Sequence, residues 1–453
     1  MNQYKISNYN HFYFIESEQK YLIYNSISNG LAKLEPEIYN LLKAGDEGVA
    51  KLAKDESKKE LITAMLKGHL IVDKDYDEIE FLRTRFNMGK YGQKNLSLTI
   101  LSTDACNMKC QYCYQGERPA NYPYDGLEDD IVNFAKERIL TCGYRALSLT
   151  WYGGEPLLNK KYIFSLSDKL IKLCKEHHVT YGAMIVTNGT LLNKKTAISL
   201  KSRQVKSMQI TIDGPQVIHD ARRGLKDSKK SSFTTIMKNV GDVFGIIPIT
   251  VRVNVDKTNI NNTMELLEIF KEKGYLNNSN DLSVYLGYTR EWTNKCRDIL
   301  PTCFSMNEFS QAEIDFQKKL IASGFTSSSL YPRHQSLCSA VTPHGFVIEP
   351  TGDIHKCWSD INNPEAFVGH VKAPLQINGK IMEWLAYDPL AQSSGCRQCG
   401  LFPICGGGCP YVPIKQKEKL AADKNYNCTP WKMLMEEKLQ VFLQSKAQEL
   451  ANK

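Results

Sequence analysis

Between residues 95 and 290 of this 453-residue chain, six short apolar runs rich in β-branched residues recur. They are LSLTILS (96–102), LSLTWY (147–152), AMIVTNG (183–189), SMQITID (207–213), ITVRVNV (249–255) and LSVYLGY (282–288). Segments with helical spacing lie between them, among them IVNFAKERIL, SLSDKLIKLCKEH, FTTIMKNVGDVF and TMELLEIFKEKG. Strand and helix alternating in units of roughly 30–40 residues predict a parallel sheet with crossover helices. Six units fall short of the eight that close a full barrel. A partial (β/α)6 TIM-like barrel and a doubly wound sheet both fit. In either, chemistry is expected at the carboxyl ends of the strands.

The flanks read differently. HFYFIES (11–17) and KYLIYNS (20–26) predict two short strands, NGLAKL adds a third, and EPEIYNLLKAG and KKELITAMLKGHL have helical spacing. Strands first and helices second predict a small winged-helix-like module over residues 1–90, followed by DKDYDEIEFLRTRFNMGKYGQ as a charged connection. The α/β domain is expected over 91–325 and an irregular Cys-, Gly- and Pro-rich domain over 326–435. A final helix is expected over 436–453. The net charge of +8 is spread over lysines, as in KLAKDESKKE, and reads as a solvated surface. No arginine-rich tract interleaved with aromatics points to nucleic acid. The opening MNQYKISNYN lacks an apolar h-region. No apolar run reaches the roughly 18 residues of a membrane span. A cytoplasmic chain is expected.

Fourteen cysteines are many for such a chain. In a reducing compartment, clustered cysteines are metal ligands or catalytic thiols rather than disulfides. Cys106, Cys110 and Cys113 lie directly after the first strand of the array, and seven more fall between 338 and 428. Thiolates favour zinc or iron–sulfur clusters. Three thiolates on a 4Fe–4S cube leave one iron without a protein ligand, whereas a fully ligated cluster takes four. An open position distinguishes a catalytic metal from a structural one. A zinc site completed by a distant Cys or His, and plain buried thiols, are the alternatives on the triad alone.

The spacing C-x3-C-x2-C with Tyr112 inside it resembles the signature of the radical S-adenosylmethionine (SAM) superfamily. The other strand ends agree with that resemblance. GGEP follows the second strand, TNGT the third, and TIDGP then HDARR the fourth. The resemblance implies that Gly153, Gly154 and Glu155 meet the SAM amino group. Tyr112, Thr187, Asn188, Thr211 and Asp213 are then further polar cofactor contacts. Arg223 is expected to pair bidentately with the SAM carboxylate. His219 and Arg222 are expected at the surface or behind the contact residues. The implied chemistry is chelation of the open iron by SAM, one-electron cleavage of its C–S bond, and hydrogen abstraction by a 5′-deoxyadenosyl radical. Cys106, Cys110 and Cys113 would hold the catalytic cluster.

The C-terminal cysteines run Cys338-x13-Gly352-x4-Cys357, a gap, Cys396-x2-Cys399-x5-Cys405-x3-Cys409, a gap, and Cys428. On its own this is compatible with a zinc ribbon. The spacing resembles the SPASM extension, an auxiliary-cluster domain of radical SAM enzymes. By that likeness Cys396, Cys399, Cys405 and Cys428 hold one auxiliary cluster. Cys338, Cys357 and Cys409 hold another, with Cys303, Cys296, a substrate thiolate or an open position as its fourth corner. Cys142 and Cys174, in helical segments, are expected to be ordinary buried thiols. SPASM enzymes mostly modify peptides. The resemblance implies a maturase that forms a thioether or C–C crosslink in a ribosomal precursor peptide. The leader would be added as a strand to the edge of the N-terminal module. Flavodoxin or ferredoxin would supply single electrons. In sulfatase-maturing enzymes an Asp base follows the G-x4-C cysteine; here the residue is Trp358, with Asp360 nearby. Sulfatase maturation is the alternative within the class. A non-catalytic zinc or iron–sulfur protein that binds a partner is the alternative outside it.

Overall fold

A computed structural model describes residues 3–16, 19–116, 119–226, 228–276, 280–323, 331–332, 334 and 336–451, apart from the side chains of 294, 295, 297 and 448–451. It resolves into two compact units, neither of them continuous in sequence. One comprises Met1–Gly92, Ser327–Leu337 and Tyr387–Lys453; the other comprises Gln93–Thr326 and Cys338–Ala386.

The first unit begins with β1 (Tyr4–Ile6), β2 (Asn10–Ile15), β3 (Lys20–Asn25) and β4 (Gly30–Leu34). Helices α1 (Pro36–Lys43), α2 (Asp46–Lys54) and α3 (Lys59–Lys67), strand β5 (Ile71–Asp73) and helix α4 (Glu78–Tyr91) follow. Strands β2, β3 and β4 form an antiparallel sheet, and β1 pairs with β5. Ile23 and Leu34 from the sheet pack on Ile38, Leu42, Val49, Leu52 and Met65 from the three helices. The supposed charged connection is the fourteen-residue helix α4. A second core joins this module to the far end of the chain: Tyr24 packs with Leu401, Ile404, Met435 and Leu439. Met435 opens the last helix, Met435–Ala451.

The second unit carries the six expected strands as β6 (Asn95–Leu101), β8 (Ala146–Tyr152), β9 (Thr180–Thr187), β10 (Val205–Thr211), β12 (Ile249–Val255) and β13 (Leu282–Tyr288). A short strand β7 (Met108–Cys110) follows β6, and β11 (Arg223–Leu225) follows β10. The helices are α5 (Leu127–Cys142), α6 (Lys160–Glu176), α7 (Lys194–Ser202), α8 (Gln216–Arg222), α9 (Ser232–Val243), α10 (Thr263–Glu272) and α11 (Met306–Ala322). All six long strands are parallel and lie in sequence order, β13-β12-β10-β9-β8-β6. A doubly wound sheet would reverse direction at a switch point. This order does not reverse, so the partial barrel is the architecture adopted. Along β6 and β8 the residues Leu96, Leu98, Ile100, Leu147, Leu149 and Trp151 are buried among Ile131, Phe134, Ile163 and Leu166 of the helices. The alternate residues Ser97, Thr99 and Thr150 are polar and part-exposed. Successive side chains of a strand point to opposite faces, so one face packs under the helices and the other is left polar.

Residues 338–386 do not stand with the rest of the cysteine-rich segment. Strand β14 (Gly345–Ile348) pairs in parallel with β6, and β15 (Asp353–His355) and β16 (Gly369–His370) extend the sheet from there. The segment therefore completes the barrel sheet on the β6 side, while residues 387–453 belong with the N-terminal module. The boundary expected at 325 lies outside the described residues. Among the described residues no helix is long and apolar enough to cross a membrane.

Candidate functional site

Strand β6 ends at Leu101, and the loop that leaves it carries the cysteine triad. The loop is shaped by a two-stranded ribbon that a sequence scan of hydrophobic periodicity does not reveal. Strand β7 pairs antiparallel with β11, which sets Cys110 opposite Arg223, Lys109 opposite Gly224 and Met108 opposite Leu225. Backbone bonds from Gln111 to Arg222 and from Lys226 to Asn107 extend it at both ends. HDARRG is thus the other half of the triad's scaffold.

Tyr112 is the centre of the polar network on this side. Its hydroxyl donates to Asp213 Oδ2 at 2.5 Å and accepts from Arg223 Nη1 at 2.7 Å and Asn254 Nδ2 at 3.1 Å. Asp213 is fully buried; its Oδ1 accepts from the Asn254 amide at 3.1 Å and its Oδ2 also from Arg222 Nε at 3.4 Å. Arg222 reaches on to Asp256 at 2.7 Å, and its guanidinium lies over the Tyr112 ring. His219 is buried too, and its Nδ1 accepts from the Asp213 amide at 3.2 Å. His219 and Arg222 therefore stand behind the site, not at the surface. Protein donors meet both oxygens of Asp213, because burial of a carboxylate requires such partners.

Burial opposes charge on Arg223, but Cys110, Tyr112 and Asp213 around it hold its guanidinium firmly protonated. Its Nε, buried, has no hydrogen-bond partner among the described residues. Burial above all, opposed by Arg223 and aided by the Cys113 and Cys106 thiols, raises the Cys110 thiol to about 11. Cys110, near enough to feel the Cys106 and Cys113 thiols, and a fixed cation carrying a spare donor fit an anionic, thiolate-ligated inorganic group. Among the described residues no three His, Cys, Asp or Glu side chains are gathered tightly enough to hold a single metal ion.

The ends of β8 and β9 form the other wall. Gly153 has φ +135°, and a Cβ there would stand 2.3 Å from the Thr103 carbonyl oxygen. Only glycine tolerates that turn. The next amides, of Gly154 and Glu155, donate to Thr103 and Ala105. Glu155 is fully buried, and burial raises its carboxyl above the usual range. It accepts from Thr187 Oγ1 at 2.6 Å, the Asn188 amide at 2.7 Å and the Leu157 amide at 3.0 Å. These bonds clip the end of β8 to the end of β9, and the carboxylate has no exposed surface to offer a ligand. Asn107, which the sequence reading passed over, joins the triad loop to the same wall through Asn188 and Thr190. Thr211 is buried at the end of β10.

A third group lies beyond Cys113. Tyr114 and Tyr152 share a hydrogen bond of 2.8 Å between hydroxyls, and Tyr152 stacks on Trp358 at a ring distance of 5.8 Å. Trp358 is 49% exposed, whereas Asp360, in the same short turn, is 3% exposed. Cys338 and Cys357 belong to this unit. Cys296 and Cys303 are buried, their thiols directed to the Thr293 and Ile299 carbonyls. Cys174 is buried as expected, while Cys142, at the end of α5, is part-exposed.

In the first unit, Cys396, Cys399, Cys405 and Cys428 come together. Burial above all, opposed by a backbone hydrogen bond at Gly407 and aided by Cys428, Cys396 and Cys399, raises the Cys405 thiol to about 11. Gly406, Gly407 and Gly408 all have positive φ, and a Cβ on Gly408 would meet the Asn427 carbonyl at 2.1 Å. The glycine run lets the chain wrap tightly beside these thiols. Cys409 is in this unit, its amide donating to Asn427 Oδ1.

Residues 100–296 match the model of the Radical SAM superfamily. The radical SAM cyclopropyl synthase TigE of Paramaledivibacter caminithermalis is 23% identical over 248 residues, 49% of this chain and 51% of that protein. A serine-type anaerobic sulfatase-maturating enzyme of Klebsiella aerogenes is 22% identical over 334 residues, 68% of this chain and 77% of that one. The chain spans about half the length of the curated relatives it matches first. Among solved structures, one described as native anSMEcpe with bound AdoMet and Kp18Cys peptide superposes with a TM-score of 0.59 at 20% identity. That match covers 78% of this chain and 99% of the other, and it shows a shared fold.

Proposed function

We propose, from the premise that this chain carries a radical SAM domain over residues 100–296, that it is a peptide-modifying maturase of that superfamily. The observation that carries the reading is the triad loop at the carboxyl edge of the sheet, backed by the buried guanidinium of Arg223 with its unpartnered Nε. Cys106, Cys110 and Cys113 are assigned to a 4Fe–4S cluster with one open iron. When bound, that cluster and SAM supply a one-electron cleavage that makes a carbon radical able to take a hydrogen atom.

The chain's own residues bind and orient. Arg223 pairs with the SAM carboxylate, and the Gly153–Gly154 turn and Thr211 line the cofactor. Tyr112, Glu155, Thr187, Asn188 and Asp213 hold those groups in place from behind. Cys396, Cys399, Cys405 and Cys428 are assigned to an auxiliary cluster, and Cys338, Cys357 and Cys409 to a second. The substrate is a ribosomal precursor peptide whose leader adds as a strand to the β2–β4 sheet, and the product is an oxidative thioether or C–C crosslink. A flavodoxin- or ferredoxin-type protein delivers electrons.

Likeness to the sulfatase-maturating relative over 68% of this chain favours a second reading, conversion of a serine in a sulfatase to formylglycine. Trp358 after Cys357 argues against it, because an indole cannot serve as the base, and Asp360 is buried.

Anaerobic purification tests the assignment. Brown protein with about twelve irons, as expected for three such clusters, and reductive release of 5′-deoxyadenosine from SAM are the expected results. Cys106→Ala should abolish that release and keep most of the auxiliary iron. Colourless protein holding zinc would overturn the reading. Formylglycine in a serine-containing sulfatase peptide would move it to the second.

A further inference from the structure

The triad loop is fixed by a closed ring of hydrogen bonds that passes on both sides of Cys106. On the upstream side, the Ala105 carbonyl accepts from the Glu155 amide at 2.9 Å. The Glu155 carboxylate in turn accepts from the Asn188 amide at 2.7 Å. The Asn188 side chain then returns to the loop on the downstream side, donating from Nδ2 to Asn107 Oδ1 at 2.8 Å. Asn107 Nδ2 donates to Thr190 Oγ1 at 2.9 Å, and Thr190 Oγ1 donates to Asn188 Oδ1 at 2.6 Å. Glu155 is fully buried and Asn188 and Thr190 are 6% and 9% exposed, so water competes little for these bonds.

We infer that Asn107 is the positioning residue that sets the Cys106 sulfur against the cofactor wall formed by β8 and β9. Both polar atoms of its amide are occupied, one as donor and one as acceptor. No residue of opposite hydrogen-bonding character at either atom preserves the ring. Sites that hold inorganic groups require their ligands within a fraction of an ångström, and groups behind the ligands supply that accuracy. The ribbon with β11 sets Cys110 and, through the Lys226 amide, the Asn107 carbonyl, and the Tyr112 network fixes the loop's far side; the Asn107 side chain is what ties this part of the loop to Asn188 and Thr190 in the wall at the ends of β8 and β9. Loss of the Asn107 side-chain amide would break the tie between the loop at Cys106 and the ends of β8 and β9 while leaving the ribbon at Cys110 intact.

This inference rests on the cluster assignment for the triad, and the test separates the two. Asn107→Ala, Thr190→Val and the double variant are prepared anaerobically beside the unaltered protein. Iron content, the electron paramagnetic resonance (EPR) signal of the dithionite-reduced protein with and without SAM, and the SAM dissociation constant are measured. Asn107→Ala is expected to weaken SAM binding by ~10-fold or more, in the range found for residues behind metal ligands, and to diminish the SAM-dependent change in the EPR signal. Auxiliary iron and the melting temperature should stay close to the unaltered protein. Thr190→Val, which keeps the shape and removes the hydroxyl, should give a smaller loss in the same direction. The double variant should be no worse than Asn107→Ala, because both changes open one ring. An Asn107→Ala protein that binds SAM with unaltered affinity and spectrum, or losses that multiply in the double variant, would overturn the inference. Absence of any SAM-responsive signal in the unaltered protein would instead overturn the assignment of the triad.

Discussion

His219 illustrates how a residue read as peripheral becomes fixed in its chemistry by its surroundings. Burial lowers its imidazole to about 3, and the Arg223 guanidinium adds to the effect. Its Nδ1 accepts from the Asp213 amide, so the ring must be neutral with its proton on Nε2. The unfolded chain binds a proton at a pKa of about 6.5, whereas the folded one resists it down to about 3. Stability from this group is therefore present above about pH 6.5 and lost as pH falls below it. His219→Asn is expected to flatten the pH dependence of stability between about pH 6 and 5, where the native histidine contributes at most ~1.4 kcal/mol per pH unit. Urea unfolding of both proteins at several pH values measures the difference, and parallel slopes would contradict it. The cysteine spacing, GGEP, TNGT and HDARR were legible as motifs at strand ends because residue type and spacing define them. The partners of Asp213 and Glu155 were not: a buried carboxylate and a ligand-facing one have the same letter in a sequence.

Among the secondary-structure elements, the long strands and helices of the barrel were readable because each buries a continuous apolar set against its neighbours. Helix α4 was not. Its buried positions are Glu78, Leu82, Phe86 and Lys90, so charged residues occupy both ends of the inward stripe. Glu78 accepts from the Ser7 hydroxyl at 2.5 Å and the Asn8 amide at 2.9 Å, and Lys90 donates to the Tyr387 carbonyl at 2.8 Å. Those partners are about seventy residues and about three hundred residues away, beyond any local window. What the sequence does carry is the cap: Asp77 Oδ1 accepts from the Ile79 and Glu80 amides at 2.9 and 3.0 Å. Asp77→Ala is expected to cost about 1 kcal/mol. Its measure is the shift in the thermal midpoint together with loss of helical circular dichroism, and an unmoved midpoint would count against α4 being held by this cap. The β7–β11 ribbon is hidden for another reason. With three residues on each side, its strands are too short for a period to register, and only the register itself tells that Cys110 faces Arg223.

For the whole molecule, sequence neighbourhood proved a poor guide to which segments fold together. The N-terminal module shares a core with residues 387–453, through Tyr24, Leu401, Ile404, Met435 and Leu439. Within the same unit the Gly400 carbonyl, next to Cys399, accepts from Ser26 Oγ at 2.5 Å and His11 Nε2 stands 3.1 Å from it. Deleting residues 1–92 is therefore expected to uncover Leu401, Ile404 and Leu439. The truncated chain should appear in the aggregated fraction and should bind a hydrophobic dye; a soluble, monodisperse product that keeps the four-cysteine site would contradict the shared core. Periodicity and spacing by themselves determined the six-unit parallel array and marked the triad and the glycine-rich cysteine array as candidate soft-metal sites, because these depend on residues close together in the chain. The tertiary structure alone decided that the six strands keep their sequence order across the sheet and that β14 extends it. It alone decided which donors meet the buried carboxylates of Glu155 and Asp213, and that residues from the two ends of the chain share one core. Those outcomes turn on which distant groups satisfy each buried polar atom and cover each apolar face, and a linear string of residues leaves that pairing open.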